Sequence, residues 1–226
     1  MRPKGLLLGL LSHLVAFAQG NAFGTRLGFS LYQYRTAYAQ FLARLGGELG
    51  AVGRIRLFHS HKNRLYHSLL AGFGYLMGHS RLLLDSSIYI SPLTGRPLTG
   101  IARAHTYTHY LYMQTLWHLA FEAEGALAIG GGFQLLRALG QTLMLEYETP
   151  DGQPIQEWNA VSLSDLQRVL PLWIPNLTLY AELRLWQGRR SRVALYTQTI
   201  HQINRFLWPT GLLLGAAWLY TGNPDQ

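Results

Sequence analysis

The chain has 226 residues, of which 49% are hydrophobic and 13% charged, and it carries a formal net charge of +8 with no cysteine. Average soluble domains contain about 25% charged residues, so this chain is poor in charge for a cytosolic domain, while its mean hydropathy of +0.06 is too low for a bundle of membrane helices. The apolar content excludes a disordered chain, and the lack of cysteine excludes disulfides, thiolate metal sites and a cysteine nucleophile.

The first 18 residues have the three-part layout of a secretory signal. A basic stretch precedes an apolar core at 5–17, and a small-x-small cleavage site, Ala-Phe-Ala, ends at Ala18. We therefore expect a signal helix over 1–18 that is cleaved during export from a bacterial cytoplasm, and a single mature domain over 19–226. The apolar core is shorter than the about 20 residues of a membrane-spanning helix, which makes an uncleaved anchor the weaker alternative.

After the signal, apolar and polar residues alternate with a period of two, which is typical of strands and not of helices. In the clearest segment, Leu177, Leu179 and Leu183 occupy odd positions, while Thr178 and Glu182 occupy even ones. The alternating segments are, in chain order, 39–59, 64–77, 80–91, 101–121, 126–138, 173–187, 191–205 and 210–221. The pattern predicts eight antiparallel strands, several of them longer than the usual strand of about 5–6 residues.

Three segments leave alternatives open. Residues 39–59 also fit helical spacing, but four glycines there favour a strand, because each glycine costs about 1 kcal/mol in a helix relative to alanine. If Arg26–Arg35 and Gly46–Gly53 hide a further hairpin, the strand number becomes ten. Residues 206–224 lack charge, as a membrane-spanning helix would, but a proline, glycines and the period of two argue against a helix.

The breaks between these segments differ in length. Tight breaks fall at 78–79, 122–125 and 188–190, and longer ones at 92–100 and 139–172. In the long loop at 139–172, Ser164 can cap a short helix. Short turns at one end and longer loops at the other are typical of bacterial outer-membrane barrels, whose short turns face the periplasm. The pattern therefore predicts an all-β fold, an antiparallel up-and-down transmembrane β-barrel.

The two faces of the predicted strands distinguish a membrane barrel from a soluble one. One face is leucine, isoleucine, alanine and phenylalanine, with tryptophan and tyrosine near the strand ends, where aromatic side chains suit a bilayer interface. The other face is charged, and a charge facing lipid would cost about 2–4 kcal/mol at mid-bilayer. We therefore predict a lumenal charge network of Arg44, Glu48, Arg54, Arg56, Arg81, Asp85, His118, Glu122, Glu182 and Arg184. The alternative is a soluble barrel, since any half-buried antiparallel sheet alternates.

Several short segments resemble the small outer-membrane β-barrel proteins of the eight-stranded OmpA/OmpX kind, and the functionally unassigned small barrels common in Bacteroidota. They are the Ala-Phe-Ala-Gln signal end, Thr106–Gln114, Gly130–Phe133 and Leu212–Tyr220. The resemblance implies an eight-stranded barrel in a bacterial outer membrane. The chain departs from the family pattern at its end, where six residues follow Tyr220 and the usual terminal aromatic residue is absent. Tyr220 is therefore the candidate for the assembly signal.

Candidate chemistry is sparse. Histidines occur at most in pairs, whereas a metal site needs three or four converging ligands, and no enzyme motif emerges that unites a serine, a histidine and an acid. The sequence therefore predicts no catalytic residue, metal or cofactor. Side chains fill the interior of an eight-stranded barrel, so we expect the lumenal charges to neutralise one another, with Glu182 paired to Arg44 or Arg54.

These observations favour a non-enzymatic integral outer-membrane barrel, either structural or an accessory component of an envelope complex. The alternatives are a barrel enzyme that modifies lipid A or phospholipid, and a narrow solute pore. The expected partners are outer-membrane lipid and another outer-membrane or periplasmic protein, and no nucleic acid.

Overall fold

A computed structural model describes residues 22–32, 42–60, 65–84, 95, 99–121, 126–148, 153–162, 164, 173–188, 190–203 and 210–221. These residues contain nine strands: β1 (Ala22–Tyr32), β2 (Leu42–Ser60), β3 (Leu65–Leu84), β4 (Thr99–Phe121), β5 (Leu127–Glu148), β6 (Pro154–Val161), β7 (Trp173–Gln187), β8 (Ser191–Gln202) and β9 (Gly211–Thr221). The expected signal and its cleavage site at Ala18 lie outside the described residues.

Eight of the strands close into a ring of antiparallel pairs. The order is β4-β3-β2-β1-β9-β8-β7-β5, and the pairing of β4 with β5 completes the circle. Ladder partners followed once around the ring lead from Ala22 to Tyr32 on the same strand, a displacement of ten residues. Such a stagger requires the strands to tilt relative to the barrel axis. The prediction of an antiparallel, eight-stranded barrel is therefore confirmed.

The predicted strand boundaries were less accurate than the predicted number. The segment of β1 was missing from the eight alternating segments, although its residues belong to the region considered for an extra hairpin. The predicted strands 64–77 and 80–91 are instead joined in the single strand β3, without a turn at Gly78. A Cβ at Gly78 would lie 3.1 Å from the Tyr32 carbonyl oxygen and 3.3 Å from the Tyr110 ring. This glycine therefore provides packing space inside the barrel.

The expected long loop at 139–172 is largely strand in its first half. The alternation breaks at Leu139 because of a register shift, at which His109 pairs with Gly140 and Tyr110 with Ala138. Beyond that shift β5 continues to Glu148, and β6 folds back along it as an antiparallel partner. A pattern with a constant period of two cannot follow a strand through such a bulge. β3, β4, β5 and β6 thus form a sheet that rises past the first residue of β7.

The barrel is apolar outside and polar inside. Outward side chains such as Phe133 and Leu179 are 64% and 60% exposed, whereas the inward Arg26 and Glu48 are 1% and 2% exposed. Water-soluble proteins rarely expose a continuous apolar surface of this kind, because its contact with water is unfavourable. The inverted arrangement is that of a membrane-spanning barrel, and it removes the soluble alternative. Within the described residues, no helix is long and apolar enough to cross a membrane.

The two ends of the barrel are distinguishable. The connections between β2 and β3, β4 and β5, and β7 and β8 are short, and Ala22 pairs with Thr221 at the same end. Aromatic side chains are exposed around this end: Phe23, Phe58, Trp117, Phe121, Trp186, Trp218 and Tyr220. Bands of exposed aromatic residues mark the bilayer interface. We call this end the short-turn end, and the opposite one the long-loop end.

The facing of the strands makes a prediction about Leu179, which lies on the apolar surface near the middle of β7. Leu179→Arg should lower the free energy of unfolding in phospholipid bilayers by about 2–4 kcal/mol, because the charge must enter hydrocarbon. Urea titration of the barrel in vesicles measures the change. Two controls should remain close to the parent protein: Thr178→Ala, which is buried in the lumen, and Gln156→Arg, which is exposed on β6. Equal losses in both arginine variants would contradict the assignment.

Candidate functional site

The lumen holds a buried ionic group built around Glu48 of β2. Arg26 Nη2 lies 3.2 Å from Glu48 Oε1 and donates a hydrogen bond to Gln198 Oε1 at 3.0 Å. Tyr112 and Tyr196 donate their hydroxyl protons to Glu48 Oε1 and Oε2 at 2.7 and 2.6 Å. Both carboxylate oxygens are therefore hydrogen-bonded, as a buried charge requires. We call Arg26, Glu48, Tyr112, Tyr196 and Gln198 the Glu48 cluster.

Glycines on the neighbouring strands make room for these tyrosines. A Cβ at Gly28 or Gly215 would lie 2.7 or 2.6 Å from the Tyr196 hydroxyl oxygen, and a Cβ at Gly50 would collide with the Tyr112 hydroxyl. Real Cβ atoms do not approach other atoms so closely, so any larger residue would displace the ring. Tyrosine on one wall and glycine on the other thus fill the width of the barrel and bring both hydroxyls to Glu48.

A second ionic group surrounds Glu182 of β7, closer to the short-turn end. Arg54 Nη2 donates to both Glu182 oxygens at 2.9 and 2.7 Å, and Arg192 Nη2 lies 3.5 Å from Glu182 Oε1. Tyr180 donates its hydroxyl proton to Glu182 Oε2 at 2.8 Å, and His118 Nε2 lies 3.7 Å from the same oxygen. We call Arg54, His118, Tyr180, Glu182 and Arg192 the Glu182 cluster.

Aromatic rings join the two clusters. The Arg26 guanidinium lies 4.0 Å above the Tyr196 ring centroid and 5.8 Å from that of Tyr180, and the two rings stack with their centroids 6.1 Å apart. A cation over an aromatic face is attracted by the ring quadrupole. Apolar side chains pack around the clusters in the same lumen: Tyr32, Val52, Leu70, Leu76, Tyr110, Leu116, Leu136, Ile174, Ile200, Leu213 and Leu219.

The structure brings together four of the ten residues assigned to the lumenal network. Glu48 belongs to the Glu48 cluster, and Arg54, His118 and Glu182 belong to the Glu182 cluster. Of the two arginines expected opposite Glu182, Arg54 makes the contact. The Glu182 carboxylate on β7 is thus bound by an arginine from β2, across the lumen.

Two of the other assigned residues do not face the lumen. Arg44 and Arg81 face outward near the long-loop end, since their ladder partners are His79 and His105 on the outer face. A register shift between Arg44 and Gly47 changes the phase of β2, so residues of equal parity on either side of it face opposite ways. The lumen assignment of Arg44 was wrong for this reason, and that of Arg81 because β3 is one uninterrupted strand.

Of the remaining four assigned residues, the structure describes two, Arg56 and Arg184. Both are on the predicted lumenal face, since their ladder partners Ser68 and Ala194 are buried in the barrel. Arg56 is exposed towards the short-turn end, and Arg184 forms a hydrogen bond to Gln187 at the same end. Asp85 and Glu122 lie outside the described residues. Two arginines of the clusters, Arg26 and Arg192, were not anticipated. Arg26 lies in β1, which was not among the predicted strands. Arg192 is the second residue of β8, where the alternating segment has only begun.

One further contact has the composition of a hydrolase triad. Ser68 Oγ lies 3.0 Å from His118 Nδ1, and His118 Nε2 lies 3.7 Å from Glu182. Sequence spacing could not reveal it, because the residues come from three different strands. However, Ser68 and His118 are buried inside the barrel, and Glu182 is already engaged by Arg54. A nucleophile must reach its substrate's carbonyl carbon, so the contact serves the packed core. Within the described residues, no three side chains are placed to hold a metal ion.

The chain resembles known proteins only at the level of solved structures. No family model and no curated protein matches the chain. It is similar to the crystal structure of Neisserial surface protein A (NspA), with 7% identity, a TM-score of 0.40, and coverage of 90% of this chain and 98% of that one. It is also similar to the Yersinia pestis outer membrane protein Ail in a phospholipid bilayer nanodisc, with 10% identity, a TM-score of 0.32, and coverage of 89% and 99%. Neither similarity assigns a role to a residue here.

The Glu182 cluster makes a prediction about stability. Glu182→Ala should lower the free energy of unfolding by about 3 kcal/mol, since it leaves Arg54 without its carboxylate in a largely buried site. The double variant Arg54→Met, Glu182→Ala should recover part of the loss, because the closest cation is removed together with the carboxylate, although Arg192 still loses its partner. Urea unfolding in detergent micelles, arranged as a double-mutant cycle, measures the coupling. Arg184→Ala at the exposed end of β7 is the matched control, with a change within about 0.5 kcal/mol. Strictly additive losses would show that the pair is not coupled.

Proposed function

We propose that this protein is a non-enzymatic, non-conducting integral barrel of the bacterial outer membrane, where it serves a structural or accessory role in the envelope. The observation that carries the proposal is the filled lumen, in which Glu48 is bound by Arg26 and two tyrosine hydroxyls, and Glu182 by Arg54 and the hydroxyl of Tyr180. Conduction requires a continuous aqueous path, and eight-stranded barrels are just wide enough for side chains to fill them. The chain's own side chains occupy that space.

The outer-membrane location is supported by the inverted facing of the strands. Membrane barrels of this kind are built with short turns on the periplasmic side and longer loops on the outer side, which matches the short-turn and long-loop ends. The basic and apolar pattern of residues 1–18 supplies the export signal that this location requires. The proposed orientation therefore puts the Glu182 cluster near the periplasm and the β3–β6 sheet outside the cell.

A lumen filled by side chains predicts that the protein does not conduct ions steadily. In planar bilayers the parent protein should produce no channel steps, because Arg26 and Glu48 with their partners block the middle of the lumen. Removing both charges together, in Arg26→Gly, Glu48→Gly, takes away the bulk of the plug without leaving an unpaired charge, and should produce small, measurable steps. Thr25→Gly, adjacent but exposed on the outer face of β1, should remain silent. Steady, ion-selective steps in the parent protein would overturn the proposal and support the narrow pore.

The proposed location predicts processing at Ala18. Protein recovered from the producing bacterium should begin at Gln19 and fractionate with the outer membrane, since a signal peptidase would remove residues 1–18 during export. N-terminal sequencing and density separation of the two membranes measure these properties. Recovery of the uncleaved chain in the inner membrane would contradict the location and the assignment of the signal.

A further inference from the structure

A group of cationic and aromatic side chains lies on the outer face of the sheet above the apolar belt. Arg44 pairs across the ladder with His79, and Arg81 with His105. Arg103 lies two residues before His105 on the same face of β4. We call these five residues the outer basic patch. The patch draws on three adjacent strands, so its geometry follows from the sheet and not from a loop.

The patch carries an excess of positive charge. Glu146 lies 3.6 Å from Arg103 Nη1 and 3.9 Å from His105 Nε2, and Glu148 follows two residues later on the same face of β5, so three arginines face two carboxylates. Arg44 and Arg81 have no ion pair with a described residue, although Arg44 is exposed and Arg81 is half-buried. Arginines with solvent-accessible guanidinium groups and no local counter-charge attract phosphate, which they bind in a bidentate manner.

An aromatic platform continues the patch sideways. His79 Nε2 lies 3.1 Å from His105 Nδ1, and the His79 ring stacks on Tyr107 with centroids 4.4 Å apart. Tyr107 in turn stacks on Trp158 of β6 at 5.9 Å, and Trp158 is 56% exposed. An exposed indole that continues a row of stacked rings offers a flat apolar surface, on which the carbon-bound face of a sugar ring can be removed from water.

The distance of the patch from the hydrocarbon core indicates which class of membrane lipid could reach it. Among the described side chains, Phe73 and Leu111 are the outermost exposed apolar residues of β3 and β4, and Tyr75, hydrogen-bonded to His109, is the next outward residue of β3. From Tyr75 to Arg81 the strand rises about 3.3 Å per residue. At a tilt of about 40°, the patch thus reaches about 10–15 Å above Tyr75. Phospholipid headgroups occupy only about 5–8 Å on each side of the hydrocarbon core.

We propose that the outer basic patch binds the phosphorylated sugar headgroup of a glycolipid in the outer leaflet, with Arg44 and Arg81 on the phosphate and Trp158 against a sugar ring. The inference rests on the proposed outer-membrane location and names the lipid partner of that barrel. A sugar-phosphate headgroup extends further from the hydrocarbon than a phosphoglycerol does, and it matches both the cationic and the aromatic part of the surface. The acyl chains of the same molecule would lie along the belt at Phe73 and Leu111.

The test uses the full mature chain refolded in detergent and titrated with diphosphoryl lipid A, and native mass spectrometry counts the lipid molecules retained. Arg44→Gln, Arg81→Gln should bind diphosphoryl lipid A about tenfold more weakly, which corresponds to 1.4 kcal/mol. The matched control is Arg56→Gln, Arg184→Gln, which removes two arginines from the short-turn end and should bind as the parent protein does. Heat-dependent gel mobility confirms that each variant is folded.

Binding of different lipids to the parent protein tests the same proposal without a variant. Diphosphoryl lipid A should bind more tightly than its dephosphorylated form and than phosphatidylglycerol, and millimolar inorganic phosphate should not displace it. Equal binding of all three lipids, or an equal loss in both double variants, would overturn the proposal, as would displacement by free phosphate, which indicates a general anion site. These measurements use purified protein and test only the binding of lipid. The fractionation experiment alone tests the location, so a negative result in one does not decide the other.

Discussion

The structure depends on one constraint: its charged residues have to be removed from hydrocarbon without being left unpaired. Along each strand, alternate residues point to opposite sides, so every strand that presents leucine or phenylalanine to lipid must present its other residues to a narrow lumen. An ion in that lumen is nearly as cut off from water as one in a protein core, where desolvation costs several kcal/mol per charge. Glu48 and Glu182 meet this constraint with arginine and tyrosine partners, most of which belong to other strands.

The same constraint explains the composition. Glutamate in the lumen needs donors on several sides, and tyrosine supplies a donor at the end of a ring large enough to cross the barrel. The ring fits only where the opposing wall lacks a side chain, as at Gly28, Gly50 and Gly215. Glycines, which weaken a helical interpretation of the sequence, therefore provide the space in the core that Tyr112 and Tyr196 occupy.

The barrel is asymmetric along its axis. At the short-turn end the Glu182 cluster closes the lumen, whereas at the long-loop end β3, β4, β5 and β6 continue as a sheet past the membrane-facing belt. The bulge at Leu139 separates these two regions of β5, and the outward surface changes there from leucine and phenylalanine to arginine, histidine and glutamate. If the lumen is filled as proposed, the outer faces are the surfaces on which the proposed recognition of lipid would take place.

The sequence by itself determined the class of fold, because a period of two with apolar and mixed-charge faces has one stable arrangement in a membrane. It also determined the lumenal position of Glu48, Arg54, His118 and Glu182, which lie in uninterrupted stretches of alternation. Only the tertiary structure decided the rest. Register shifts at Arg44 and Leu139 change the phase of a strand without a local signal. The partners of each buried charge follow from which strands meet across the barrel, a property of the closed ring that no local pattern contains.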